Sequence, residues 1–285
     1  MKPKVGQPVN IQADTRYIKH NREHSIGDVY DALVELITNS DDSYNRLFRK
    51  GKREQDGGQI IVGHLEQRKG EPSYITVQDN AEGMNSDDMF RSLGKIGARE
   101  SSEGNRGYMG RGAKDCTALG EVTYQSVKEG RYYRCKLTHD LKYVLEEDGK
   151  AAGKQLRKKL GISDGNGTVV TVQLGDHVRL PRFDNLATDL PWHIALRDIA
   201  SDSFSSSLFL QKLKGEEAQQ LVFRLPEGQL VVDEKYEIPG FQGAFAWVRI
   251  WRADEPLDEN RPRFERYGLI VRVQPAFRSQ EVVSG

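Results

Sequence analysis

Glu35, Asn39 and Asp42 stand at i, i+4 and i+7 in a stretch of helical periodicity. At about 100° per residue they share an arc of roughly 60°. A carboxylate and an amide one turn apart are neighbours and can serve one ligand. A polar arc opposite an apolar stripe is equally what any solvated amphipathic helix carries, so this helix alone leaves both readings open. Asp79 ends a strand in which Ile75 and Val77 share its face. A carboxylate on a core-facing side needs a hydrogen-bond partner or an ion. It either caps the turn that follows or accepts from a ligand donor such as an exocyclic amine. In that turn, Asn80-Ala81-Glu82-Gly83-Met84, Gly83 permits close backbone approach. Gly107-Tyr108-Met109-Gly110-Arg111-Gly112-Ala113-Lys114-Asp115 is a glycine-rich segment entering a helix. Free N–H groups, a helix start and the cations Arg111 and Lys114 suit an anion such as phosphate. A surface loop is the other reading. The segment lacks the Gly-Lys-Ser/Thr ending of a Walker A loop, and no strand feeds it as in a dinucleotide fingerprint. Thr168 opens a strand on the same face as Val170, Val172 and Leu174, where a hydroxyl ordinarily bonds to backbone.

The elements that must position these residues follow from periodicity. A helix is expected from Ser25 to Lys50, with Ser25 as its cap and Leu33, Leu36, Ile37, Ser40, Tyr44, Leu47 and Phe48 on one stripe. Strands are expected at Ile60–Leu65 and Tyr74–Asp79, and a short helix from Ser86, again read as its own cap, to Leu93. Residues 94–112 show no period. A helix is expected from Gly112 to Gly120, strands at Val122–Val127 and Tyr132–Leu137, and over 145–166 a long loop with room for one helical turn. Gly167–Leu174 reads as a strong strand and Phe183–Ala200 as a helix. Beyond about 215 helical periodicity fades and short strands take over, so a boundary is placed there: 1–215 and 216–285.

Composition narrows the class. The chain has 285 residues with 42 basic and 42 acidic side chains, so its formal net charge is zero. That argues against nucleic-acid binding through bulk charge, though not against a local basic patch. Apolar residues make up 37% and mean hydropathy is −0.66, a globular composition in a chain long enough for a real core. No apolar run approaches the roughly 18 residues of a membrane span, and Met1-Lys2-Pro3-Lys4 leads into no signal segment. Cys116 and Cys135 make neither a disulfide framework nor a zinc set, so a cytoplasmic location is expected (nuclear if eukaryotic). Six of the 28 glycines fall within 94–112, where the anion-binding reading needs them.

In chain order these pieces become specific. Glu35-Leu36-Ile37-Thr38-Asn39-Ser40-Asp41-Asp42, then Asp79-Asn80-Ala81-Glu82-Gly83-Met84, then Gly107 to Gly112, then Gly167-Thr168 resemble the four boxes of the GHKL superfamily of ATPases. That superfamily groups DNA gyrase, the Hsp90 chaperones, sensor histidine kinases and the MutL repair proteins. The resemblance covers about residues 25–175. One departure is Ala81, where the family pattern has its first glycine; an alanine at negative φ would shift the turn only slightly. Lys114 makes the segment similar to the MORC-like branch.

The resemblance implies an α+β, Bergerat-type sandwich: a mixed, mainly antiparallel sheet with helices on one face, ATP between helices and lid, then the start of a strand-rich, transducer-like second domain. It implies ATP and Mg²⁺ as cofactors. Asp79 would accept from the adenine amino group with Thr168 in support, and Gly83 and Met84 would line the base. Asp42 would complete the polar wall. Asn39 would hold Mg²⁺, and Glu35 would orient or deprotonate the attacking water. Gly107, Tyr108, Met109, Gly110, Arg111, Gly112, Ala113 and Lys114 would hold the phosphates. The implied activity is ATP hydrolysis, with lid closure and ATP-dependent homodimerisation clamping DNA or a protein client and no membrane partner. The alternatives are a nucleotide-sensing module without turnover and a histidine-kinase-like phosphotransferase. For the γ-phosphate contact that second domains supply, Arg261, Arg263 and Arg266 are the charged candidates, with a solvated loop as the plainer reading.

Overall fold

In a computed structural model, the structure describes residues 4–10, 26–51, 58–67, 70–94, 112–197, 199, 206–213, 218–224, 227–240, 245–257, 260–265, 269–273 and 276–281. Gly107, Tyr108, Met109, Gly110 and Arg111, together with Ser25 and Arg266, lie outside the described residues.

The central helix α1 spans Val29–Arg49. Its cap is Asp28, three residues beyond the expected Ser25, accepting from the N–H groups of Tyr30 at 2.9 Å and Asp31 at 3.2 Å. Its stripe of Leu33, Leu36, Ile37, Ser40 and Tyr44 is buried, whereas Phe48 is exposed. Strands β2 (Gly58–Leu65) and β3 (Tyr74–Asp79) pair antiparallel beneath it. Helix α2 (Ser86–Leu93) is capped by Asn85, not by Ser86: Asn85 and Asp88 each accept from the other's backbone N–H. A four-residue helix α3 (Gly112–Asp115) and a 3₁₀ turn (Cys116–Ala118) fill the expected 112–120 helix. The meander β4 (Gly120–Lys128), β5 (Arg131–Leu137) and β6 (Lys142–Ala151) follows.

Where the sequence predicts a loop with one helical turn at 145–166, the chain forms the rest of β6 and a longer helix, α4 (Lys154–Leu160). Tyr143 and Leu145 alternate into the core, but the outer half of β6 is polar and its pairing with β5 shifts register twice. Its period-two signal is lost there. Strand β7 (Gly167–Leu174) lies between β4 and β3. Helix α5 (Phe183–Asp189) stops well short of Ala200, and two 3₁₀ turns, Leu190–Trp192 and Ile194–Leu196, take its place. Pro191 supplies no N–H to continue an α-helix. Strands β8 (Ser206–Lys212) and β9 (Gln219–Leu221) complete a nine-stranded sheet ordered β1-β6-β5-β4-β7-β3-β2-β8-β9, in which β1 is Pro8–Asn10. Among the described strands only β2 and β8 run parallel. Two further hairpins stand as separate ribbons: β10 (Gly228–Glu237) with β11 (Phe245–Ala253), and β12 (Leu269–Val273) with β13 (Ala276–Glu281).

The main core joins α1 to the inner sheet face, with Ile60, Val62, Ile75, Val77, Val122, Val170 and Val172 opposite Leu33, Leu36 and Ile37. Residues one step out of phase face the other way. Val127, Tyr132 and Val169 form a smaller cluster with Leu160 and Ile162, roofed by α4. This is the α+β sandwich expected, with one short helix on the far face.

Residues 260–265 run back onto the start of α1. Phe264 packs edge-on against Tyr30 at 5.3 Å and His193 at 4.5 Å. Arg263 pairs with Asp28, and its N–H donates to Asp189 at 2.9 Å. The Tyr30 hydroxyl donates to the same Asp189 carboxylate at 2.6 Å. Arg261 pairs with Glu255 and Glu265.

Candidate functional site

The end of β3 and the middle of α1 meet at Asp79. Strand parity puts its carboxylate on the core face, and it is buried. One oxygen accepts from the Ser40 hydroxyl at 2.9 Å, the other from the Ala81 N–H at 3.0 Å. Thr168, its cross-strand partner on β7, also donates a backbone N–H to it. Burial pushes Asp79 up to about 6, against these hydrogen bonds, which favour the charged form. Asp79 therefore caps its own turn, and its carboxylate is a buried acceptor of hydrogen bonds from the chain itself.

The turn after Asp79 is clamped from two sides. From α1, the Tyr44 hydroxyl accepts from the Asn80 N–H at 2.8 Å and donates to the Gln59 carbonyl at 2.8 Å. The Glu82 N–H donates to Ser43 at 3.2 Å, and the Glu82 carboxylate pairs with Arg46 at 2.6 Å and Lys50 at 2.7 Å. From β4, Ser126 accepts from the Met84 N–H at 2.7 Å and donates to the Gly167 carbonyl at 2.9 Å. Thr168 lies within this network, its hydroxyl 3.3 Å from that of Ser126. Gly83 sits at φ +64°, and a Cβ there would come within 2.3 Å of the Val127 carbonyl oxygen. Ala81 tolerates its methyl: among the described non-glycine residues only Glu129 and Leu141 take positive φ.

One turn earlier on α1, Asn39 donates its amide to Glu35 at 3.2 Å. That contact turns the Asn39 oxygen away from Glu35. The polar arc is not a solvated face: Asp42 is buried, and Glu35 reaches the start of α3. A Cβ on Gly112 would fall 1.7 Å from the Glu35 carboxyl carbon, so a larger residue there would displace the Glu35 carboxyl group. Burial raises the Glu35 pKa, with the nearby Asp115 and Asp42 adding to the rise and the Asn39 bond opposing it. Lys114 is almost fully buried, and that lowers its pKa to about 8. The Ala113 carbonyl accepts from Tyr124 at 3.2 Å, fixing α3 to β4.

The structure thus brings together Glu35, Asn39, Asp42, Asp79, Gly83, Met84, Gly112, Ala113, Lys114 and Thr168 on α1, the turn after β3, α3 and β7. Ser40, Ser43, Tyr44 and Ser126 hold that set in place and were not singled out for it in the sequence. Ser40 and Tyr44 carry one signal, as hydroxyls inside an otherwise apolar stripe. Chemically, the arrangement offers a buried acceptor, an amide oxygen and a poorly solvated acid–base pair of groups around the α1–α3 junction.

A sheet covered by a helix that bears acid and amide, over a buried strand-end aspartate, is the arrangement that the GHKL resemblance implies. Residues 28–162 match the family described as histidine kinase-, DNA gyrase B- and HSP90-like ATPase, so this segment is similar to the ATP-binding domains of that family. No curated protein sequence matches the chain.

Proposed function

We propose that this protein binds ATP with Mg²⁺ and hydrolyses it. The observation that carries this reading is the buried Asp79 carboxylate at the end of β3, held by three donors, one of which is Ser40, the residue after Asn39 of the Asn39–Glu35 pair on α1. In the proposed site Asp79 accepts from the adenine amino group, Thr168 supports it, and Gly83 and Met84 line the base. Asp42 closes the polar wall. The phosphates lie at the start of α3, where Lys114 and the backbone of Gly112 and Ala113 take part with the lid residues Gly107 to Arg111.

The residues present fit a magnesium ion. Asn39 has its amide N–H₂ engaged by Glu35, leaving the oxygen for a hard cation. No cluster of three or more His, Cys, Asp or Glu side chains with metal-holding geometry occurs among the described residues. Mg²⁺ in nucleotide sites commonly needs only one or two protein oxygens, the phosphates and water giving the rest. The ion would neutralise phosphate charge. Glu35 would orient the attacking water and take its proton, a task suited to a carboxylate whose pKa burial has raised.

Residues 1–215 are proposed as the ATP-binding domain and 216–285 as the beginning of a strand-rich second one. Lid closure and ATP-dependent dimerisation would then clamp DNA or a protein client. No helix among the described residues is long and apolar enough to cross a membrane. Glu35→Ala is the test. Phosphate release should fall by at least about a hundredfold, the usual scale for a lost general base, while ATP affinity persists. If the unaltered full-length protein releases no phosphate, a nucleotide-sensing module replaces the hydrolase. Transfer of γ-phosphate to protein would favour the phosphotransferase instead.

A further inference from the structure

Between Gly149 and Ser163 the sequence carries five cations, Lys150, Lys154, Arg157, Lys158 and Lys159, and no acid. Two of them are engaged locally. The Arg157 guanidinium donates to the Ala152 carbonyl at 3.2 Å and the Gly165 carbonyl at 2.9 Å, and Lys150 reaches Glu147 at 3.6 Å. Lys154, Lys158 and Lys159 are exposed and make no ion pair among the described residues.

Local stability does not account for them all. Lys158 and Lys159 sit in the last turn of α4, where a cation complements the helix dipole. Lys154 sits at the opposite, positive end. That end has Gly153 as its cap residue, no side-chain cap and no acid in the first turn. Lys154 and Lys158 are also four residues apart, a like-charge spacing that disfavours a helix. Helix α4 holds because Leu156 and Leu160 pack on Val127, Tyr132 and Ile162. Its apolar side is therefore turned inward, and Gln155 and the lysines face out.

We propose that the exposed face of α4 binds the phosphate backbone of duplex DNA. A helix lying on a membrane surface keeps an apolar face for the lipid, and α4 has none outward. A protein partner would find no aromatic or aliphatic anchor here, and lysine is depleted from protein interfaces. Phosphate oxygens need only point charges with N–H donors, and backbone contact of this kind requires no groove reading. The net-neutral chain would then bind through one corner of the sheet's far face. This inference names one of the two client classes in the proposed function and rests on that reading for its purpose, but the binding itself requires no nucleotide.

The test is fluorescence anisotropy of a labelled mixed-sequence DNA duplex with the full chain over a range of salt. Lys154→Glu/Lys158→Glu/Lys159→Glu should weaken binding at low salt by at least tenfold. It should also make the log K against log salt slope shallower by about 3, at roughly 0.9 per lost phosphate contact. The three Gln substitutions should give a smaller loss. Arg134→Gln/Lys136→Gln, whose cations already pair with Glu146 and Glu121, should leave affinity unchanged. ATP affinity should be the same in all variants, which separates failure of this surface from failure of the nucleotide site. Undiminished duplex binding by the triple Glu variant would overturn the proposal. So would absent duplex binding by the unaltered chain, or equally tight binding of polyglutamate or anionic vesicles.

Discussion

Asp79 is costly to bury, and the cost makes a pH prediction. Its ordinary value of 3.8 rises to about 6 in the fold. Between those values the native state holds a proton that the unfolded chain has released. Stability therefore declines as pH climbs from about 4 to about 6, by up to about 3 kcal/mol. An adenine amino group donates more strongly to the ionised form. Affinity should then be flat above about pH 6 and fall at most tenfold per unit below it. Adenosine, which has no titrating phosphate, is the probe, with affinity read by calorimetry at pH 5 to 8. Asp79→Asn should bind more weakly throughout, by about 1–3 kcal/mol, with the pH dependence gone. A flat profile for the unaltered protein down to pH 5 would remove Asp79 from the base pocket. At this scale the sequence was most readable where residue type and backbone demand coincide. A core-facing strand-end acid, a glycine required at φ +64° and an acid–amide pair one turn apart all show in the pattern. Tyr44 and Ser126 did not show, because a tyrosine in an apolar stripe and a serine in a strand are ordinary until the turn they hold is seen.

Helix α1 carries Glu35 and Asn39 at its middle, and its first turn is held by residues from far along the chain. Asp28 caps the helix and pairs with Arg263, Tyr30 bonds to Asp189, and Phe264 seals Tyr30 and His193. His193 is buried, accepts from the Ala195 N–H at 3.2 Å, and is driven down to about 4 by burial, with Arg263 adding to the shift. The unfolded chain takes up a proton near the ordinary 6.5, whereas the native state resists until about 4. Stability from this group is present above about 6.5 and lost as pH falls through that window, by about 3 kcal/mol in all. The sign is opposite to that of Asp79, and the two cover much the same range. The unaltered protein should accordingly show a muted acid response. His193→Asn keeps a capping acceptor and removes the titration, so its denaturation midpoint should rise relative to the unaltered protein as pH drops from 6.5 to 4. A constant difference across that range would mean the ring is not neutral in the fold. Elements such as α1, β3 and β7 were readable because each keeps one strict period over its length. Strand β6, half buried and twice shifted in register, and α4, with only two apolar residues to bury, lacked any such period. The return of 260–265 onto α1 is a long-range contact, and no local pattern announces it.

The architecture of the whole molecule turns on where the ATP-binding layer ends. The proposed boundary at 215 falls between β8 and β9, two strands of one antiparallel hairpin at the sheet's edge. Leu221 on β9 is buried in the main core, and so is Phe264 some forty residues later. Between them the β10–β11 ribbon exposes Leu230, Tyr236, Phe245, Trp247, Ile250 and Trp251, and two strands alone are marginally stable in water. The second region therefore contributes to the first layer through a few anchors, while its own ribbons bury little. Fragments 1–215, 1–225 and 1–265 separate these contributions by urea denaturation. Burying one large apolar side chain stabilises by about 1.5–3 kcal/mol. Restoring β9 in 1–225 should raise stability by about that amount over 1–215, and restoring the Arg263–Phe264 contact in 1–265 should raise it again. Phe264→Ala in the longest fragment should cancel most of the second gain. These steps are large against a total of about 5–15 kcal/mol, so 1–215 is expected to be the least soluble and the weakest nucleotide binder of the three. Equal stability of all three fragments would mean that the layer closes at β8 and that 216–265 merely rests on it.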